Sequence, residues 1–414
     1  MAEPLPASAK IVIVGAGAIG CSIAMHLARA GERDVVVLEK NAITHGSTWH
    51  AAGLIGQYRS AEDLTRLMQA SAKLYDEIQA ETPIDWHAVG SLRIASSRER
   101  LAEYVAAAPI AKSYGVGFEV IDAAEAQRRF PHISIEGVEG AAFVGGDGFV
   151  DPTSLTNAYA ARARALGVRF VEGVPVTGAV AKGDRITVVE TDKGAIACET
   201  VVLAPGVWAR EVGRMFGVDL AVAALEHQYA VTEKRADIAG SLPALRDPDL
   251  NFYLKPEVGG FAIGGWEPAT QPAAQGNMPF AFCRELLPNQ LDRLAPILEA
   301  ATHRIPIVGE LGLRTIINGP IPVTPDGEPI LGPAPGRANV WLAAGFTSGI
   351  AASGGAGLVL ADWITQAKPA FPVPSLDPGR FGTIAGDLGE LNSRAIAAYA
   401  GYYAFSNAQQ KPLA

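Results

Sequence analysis

The sequence predicts an α/β protein in two parts: a Rossmann-type domain with a parallel sheet, gathered from non-contiguous segments, and an antiparallel β-sheet domain. Three observations predict it. A glycine triplet lies between a buried-strand pattern and a helical pattern near the amino terminus. Strand, glycine turn and helix recur around residues 150–220 and 320–365. From about Val222 to Gly319 the pattern changes to alternating strands separated by turn residues, as in NFYLKPEVGGFAIGG.

The elements follow in order. KIVIVGAGAIGCSIAMHLARAGERDVVVLEK is one βαβ unit whose second strand, Val35 to Leu38, ends at Glu39. Residues 61–81 have helical periodicity, a strand starts at Gly90, and a helix runs from about Arg98 to Tyr114. A helix is expected from Pro152 and Thr153, then strands at Val168–Val171 and Thr200–Leu203. Within the antiparallel part a helical stretch covers about Leu286 to Ala300. VWLAAGFTSGIAASGGAGLVLADWI returns to strand, glycine-rich turn and helix, and the tail beyond Thr365 is Pro-rich, then helical, with few signals. The expected dinucleotide domain is therefore residues 1–85, 150–220 and 320–365, the substrate domain 86–149 and 221–319, and a helical tail 366–414.

Composition narrows the function. In 414 residues, 49% apolar and 19% charged residues describe a chain that folds around sizeable cores. A net charge of −9 without a block of Lys or Arg points away from nucleic acid and anionic membranes and towards small molecules. Cys21, Cys198 and Cys283 are odd in number and lack metal-type spacing, so neither a disulfide framework nor a metal site is expected. With no signal-like amino terminus and no apolar run long enough for a membrane span, the expectation is a cytoplasmic protein.

Gly15, Gly17 and Gly20 form G-x-G-x-x-G, with Ala16 and Ile19 inside the turn and Glu39–Lys40 closing the next strand. The glycines allow a tight turn and close backbone approach, the helix start faces a pyrophosphate, and the carboxylate accepts ribose hydroxyls. A dinucleotide is expected, and this motif alone does not choose FAD over NAD. In GFTSGIAASGGAG a second glycine-rich turn opens a helix, and amides at Ser348, Gly349 and Ile350 would suit the negative charge of a reduced flavin. The other use of these glycines is close helix packing.

GSTWHAAGL, DGFVDPTSL, EHQYAVTE, NGPIPVTPDGEPILGPAP and GFTSGIAASGGAGLVLADWI, in this order, resemble the flavin half of the dimethylglycine and sarcosine dehydrogenase family, within the wider D-amino-acid oxidase-like flavoproteins. The resemblance spans about residues 9–365. It implies FAD, carried covalently by the histidine of S-T-W-H, here His50, with Ser47, Thr48, Trp49, Ala52, Gly53 and Leu54 around the ring edge. A neutral imidazole is a competent nucleophile for such a bond. His45, outside the matched motif, reads as a loop neighbour.

The resemblance further implies that His227 of H-Q-Y and Tyr253 face the flavin and the amine, with His227 taking or relaying the amine proton; the plainer reading of His227 is a buried, satisfied histidine. Gly206, Trp208, Val176, Gly345 and Thr347 complete the expected cofactor contacts, although Trp208 and Val176 read equally well as core. Arg93 and Arg314 are the candidates for a substrate carboxylate, against the alternative of ordinary ion pairs. Thr347 stands where deaminating relatives carry an arginine, which argues against their way of holding a carboxylate.

The expected function is oxidative N-demethylation of an N-methyl amino acid or related amine. Hydride would pass to flavin N5 and the iminium would hydrolyse to formaldehyde, with oxygen or an electron-transfer protein as final acceptor. The alternatives are a deaminating or cyclic amino-acid oxidase, which releases no formaldehyde, and a flavin subunit of a larger electron-transfer complex. The sequence stops at Ala414, where the resembling chains enter a folate-binding half, so folate binding is not carried over.

Overall fold

The computed structural model describes residues 4–404. Its first sheet has eight strands, six of them in the order Ile330–Pro333, Val340–Ala344, Gly194–Leu203, Ser8–Val14, Val35–Glu39 and Arg169–Glu172. Ser8–Val14 lies at the centre, parallel to both neighbours. It reads as an unbroken apolar run because both its faces are covered: Ile11 and Ile13 join one buried cluster, Val12 and Val14 the other. Gly194–Leu203 is longer than its apolar stretch. Its polar first half pairs with Arg185–Thr191 of an antiparallel hairpin, where an apolar run is not required.

Helices Ala18–Arg29, Pro152–Ala165 and Gly349–Gln366 cover one face of this sheet. The last two run against the first closely enough that a Cβ at Gly357 would lie 2.3 Å from Ser22 Oγ, and one at Gly355 would lie 2.1 Å from the Leu67 carbonyl oxygen of helix Glu62–Glu81. The glycines of ASGGAG thus serve helix packing, while Gly345 and Gly349, earlier in the same segment, line a cavity.

The second sheet, also eight-stranded, runs Leu313–Val323, Ala223–Thr232, Gly260–Gly264, Phe252–Glu257, Ala244–Asp247, Ser91–Ala95, Gly140–Val144 and Phe118–Ile121. It departs from the expected antiparallel pattern at one place: Ala244–Asp247 and Ser91–Ala95 are parallel, with Arg246 opposite Arg93. This is where two distant chain segments are joined, and no hairpin turn dictates the direction there. Strand Leu313–Val323 pairs along its length with Ala223–Thr232 and so runs through the boundary expected between residues 319 and 320. The helix expected from Leu286 begins at Leu291, because the Leu287 amide is bonded to the Asn318 carbonyl and the Gln290 amide to the Gln228 side chain.

Helix Leu388–Ala400 is capped by Asp387, whose carboxylate accepts from the Gly389 and Glu390 amides, and it buries Leu391, Ala395 and Tyr399 on one face. The last part of the expected tail, residues 405–414, lies outside the described residues. Among the described residues no helix is long and apolar enough to cross a membrane, and no group of His, Cys, Asp or Glu is placed to hold a metal ion.

Candidate active site

A cavity of about 1060 Å³ lies along the end of the first sheet, lined by Gly15, Gly17, Ile19, Glu39, Lys40, Ser47, Thr48, Val176, Gly206, Trp208, Gly345, Thr347, Gly349 and Ile350 among others. Gly15 sits at φ +107°, and a Cβ there would lie 2.3 Å from the Ala204 carbonyl oxygen, so only glycine fits the first turn. Glu39 accepts the amides of Ala16 and Asn41, each at 2.9 Å, and burial raises its pKa above the usual carboxylate value. Thr48 Oγ1 accepts the Ala18 amide at 3.1 Å and Ser47 Oγ donates to the Pro320 carbonyl at 2.7 Å. These two bonds tie the STWH turn to the helix start and to the second sheet.

A wall of this cavity was not legible in the sequence. Lys40 Nζ donates to the carbonyls of Phe280 and Phe282, each at 2.7 Å, and stands 4.0 Å from the centre of the Trp208 ring. Trp208 Nε1 in turn donates to the Pro279 carbonyl at 3.0 Å. The segment thus held brings Phe280 to the lining.

The cavity has the features a dinucleotide requires: a glycine turn at a helix start, a carboxylate at the end of the second strand, and apolar walls. Helix Gly349–Gln366 also starts on it, with no side chain capping its first amides. Gly20 packs behind Gly15, and Trp49 meets the His50 ring edge-on at 5.6 Å.

A second cavity, of about 750 Å³, shares Ala51, Ile321, Thr347, Gly349 and Ile350 with the first. His50, Ala52, Gly53, Leu54, Ser348, His227, Tyr253, Trp266, Arg59, Arg246, Tyr402 and Tyr403 line the rest. His50 is 6% exposed, and burial lowers its pKa to about 4. Its ring lies against Gly319, where a Cβ would come within 2.4 Å of Cε1. Gly319 is the register partner of His227.

His227 is held from both sides, Nε2 by the Tyr253 hydroxyl and Nδ1 by the Tyr399 hydroxyl, each at 2.8 Å. Burial, then the neighbouring His50, lower its pKa to about 3. Burial holds both tyrosines well above the usual phenol value. A neutral imidazole has one N–H, so it donates to one tyrosine and accepts from the other, making a continuous chain of three groups. The sequence-predicted pair His227 and Tyr253 is thus brought together, and Tyr399 is an addition from the tail.

The two candidate arginines are not brought together. Arg314 is exposed at the start of its strand, beyond the end that carries Gly319, and lines none of the cavities described here. Arg93 lines a third cavity, of about 1220 Å³, which shares Arg59, Arg246, Ser348, Tyr402 and Tyr403 with the second. The guanidinium groups on the second cavity itself belong to Arg59 and Arg246. Strand register explains Arg246: Arg93, Arg246 and Tyr253 stand side by side across the sheet. His45 lies apart, with Cys283 Sγ 3.8 Å from Nδ1 and Arg284 Nη1 3.5 Å from Nε2.

A nucleotide cavity at the end of a parallel sheet, sharing part of its lining with a second cavity that holds two histidines, tyrosines and arginines, defines the class as a dinucleotide-dependent enzyme. The family model described as FAD dependent oxidoreductase (DAO) matches residues 10–363, and the chain belongs to that family. The chain is 37% identical to the mitochondrial dimethylglycine dehydrogenase of Rattus norvegicus over 90% of its own length and 45% of that protein. It is 33% identical to human mitochondrial sarcosine dehydrogenase over 100% of its length and 46% of that protein. It is 32% identical to 4-methylaminobutanoate oxidase (formaldehyde-forming) of Paenarthrobacter nicotinovorans over 95% of its length and 48% of that protein. The chain therefore spans about half the length of these relatives. Among solved structures, L-proline dehydrogenase from P. horikoshii superposes with a TM-score of 0.82 at 28% identity, over 91% of this chain and 98% of that one.

Proposed function

We propose that this chain oxidises a secondary or tertiary N-methyl amine that carries a carboxylate, releasing the methyl carbon as formaldehyde, with FAD in the first cavity and the amine in the second. The single observation that carries this reading is the Tyr253–His227–Tyr399 chain, whose first two members line, with His50, a cavity whose charged lining residues are Arg59 and Arg246. Relatives named for dimethylglycine, sarcosine and formaldehyde formation support the substrate class.

Arg59 and Arg246 would hold the carboxylate, since guanidinium groups bind carboxylates through paired N–H donors. Their positive charge also disfavours an ammonium nearby, so the amine is selected in its neutral form, the form that can be oxidised. A histidine lowered to about 3 does not retain a proton taken from an amine. His227 therefore orients and polarises the Tyr253 hydroxyl, and the amine proton is left to solvent when the substrate binds in its neutral form. FAD, when bound, supplies the hydride acceptor. His50 would hold it covalently: the imidazole is neutral, buried, and packed on Gly319 at the junction of the two cavities.

The test is product analysis. Holoprotein turning over sarcosine or dimethylglycine with an artificial electron acceptor is expected to release one formaldehyde per methyl group oxidised. Turnover of an amino acid to a keto acid with no formaldehyde from any N-methyl substrate would sink the proposal.

A further inference from the structure

Arg93 and Arg246 are register partners across the parallel pair of the second sheet. Their side chains therefore leave the same face, rooted about 5 Å apart, the spacing of adjacent strands. Arg246 lines both the second and the third cavity, whereas Arg93 lines the third, with Tyr58, Tyr104 and Phe118. Both have a donor to spare: Arg93 Nε and Arg246 Nη1 are buried without a hydrogen-bond partner. Arg93 Nη2 donates to the Tyr58 carbonyl at 3.3 Å, and no carboxylate forms an ion pair with either arginine among the described residues.

The nearby acids make their hydrogen bonds elsewhere, while the Asp147 charge acts on Arg93 and Arg59 through space. Asp147, close beneath Arg246, accepts the Gln57 amide and the Ser91 hydroxyl at 2.8 and 2.6 Å. Glu103 pairs with Arg100, and Asp326 with Arg380. Glu328, lining the third cavity, is the remaining acid, and its charge acts on Arg59. Burial and the adjacent Arg246 hold Arg93 below the usual guanidinium value, against the opposing pull of the Asp147 charge. One substrate carboxylate between Arg59 and Arg246 leaves the buried Arg93 Nε donor without a partner.

We propose that Arg93, with Arg246, forms a second anion subsite in the third cavity that binds a carboxylate at the far end of the substrate side chain. The matching substrate is an N-methylated dicarboxylic amino acid, such as N-methylglutamate, whose side-chain carboxylate reaches from the second cavity into the third. This assignment rests on the proposed reading of the second cavity as the amine site.

The test compares N-methyl-L-glutamate with its neutral isostere N-methyl-L-glutamine on the holoprotein. The acidic substrate is expected to have at least a tenfold higher kcat/KM. R93Q is expected to bring the ratio close to one, and R93K to restore part of it. Equal kcat/KM for the two substrates, or an undiminished preference in R93Q, would overturn the subsite. A binding measurement separates this from the amine reading: glutarate should raise the melting temperature and perturb the flavin absorption at lower concentration than butyrate, and lose that advantage in R93Q. If no N-methyl amine reduces the flavin but glutarate still binds in this Arg93-dependent way, the amine reading fails and the anion subsite stands. If glutarate and butyrate bind alike, the subsite fails.

Discussion

The Tyr399 hydroxyl lies 2.8 Å from His227 Nδ1, joining residues 172 positions apart in the chain. The tail helix that carries Tyr399 thereby becomes part of the site, and its turn adds Tyr402, stacked on Trp266 with ring centres 3.9 Å apart. Removing the hydroxyl leaves a buried ring nitrogen without its partner, a loss of about 1–3 kcal/mol. Tyr399→Phe is expected to lower kcat roughly tenfold to a hundredfold with a smaller change in KM. Stopped-flow measurement of flavin reduction checks it, and an unchanged reduction rate would count against a role for Tyr399.

His50→Ala should leave the flavin extractable. After precipitation in acid the wild-type pellet is expected to stay yellow and the variant pellet to be colourless, read by absorbance of the redissolved protein. A colourless wild-type pellet removes the covalent assignment. Gly319→Ala should act on the same ring, because the added methyl would lie 2.4 Å from His50 Cε1.

Arg246→Gln and Arg59→Gln are expected to raise KM for sarcosine about tenfold to a hundredfold each, the range of a lost charge-assisted hydrogen bond of about 1.5–3 kcal/mol. Steady-state kinetics with sarcosine methyl ester, which lacks the charge, should show little further loss in the variants. Arg314→Gln, exposed and away from the cavities, serves as the control.

The pH dependence of kcat/KM should follow the substrate. With His227 lowered to about 3, its imidazole does not titrate between pH 6 and 9, while the neutral fraction of the amine rises. The profile is expected to climb about tenfold per pH unit below the amine pKa. A plateau set by a group of pKa near 6.5 would place a titrating histidine in the mechanism.

In the protein before flavin is attached, the two histidines His50 and His227 link stability to pH. Their folded pKa values lie below the unfolded value of 6.5, so the unfolded chain binds more protons as the solution is acidified. Their contribution is complete above about pH 6.5 and is lost as pH falls towards 4 and 3, at about 1.4 kcal/mol per pH unit for each group. Melting temperatures at pH 7 and pH 5 should show the drop, and it should be smaller in a His227→Asn variant.

What the sequence determined by itself was whatever depends on neighbours along the chain. The βαβ unit, the glycine turn and Glu39 at its strand end are local patterns of period and spacing, and the STWH and H-Q-Y motifs are contiguous, so their family was visible. Other features required the tertiary structure because they depend on register between distant strands. Arg246 becomes a partner of Arg93 only through a parallel pairing that no turn announces. Arg59 and Phe280 reach the cavities from a loop and from a segment held by Lys40, and Tyr399 reaches His227 from a tail helix whose pattern carries no chemistry of its own. Packing also decided between uses of the same residue type: the glycines of ASGGAG went to helix contacts, while Gly345 lines the first cavity and Gly319 seats His50, because only close approach in three dimensions distinguishes them.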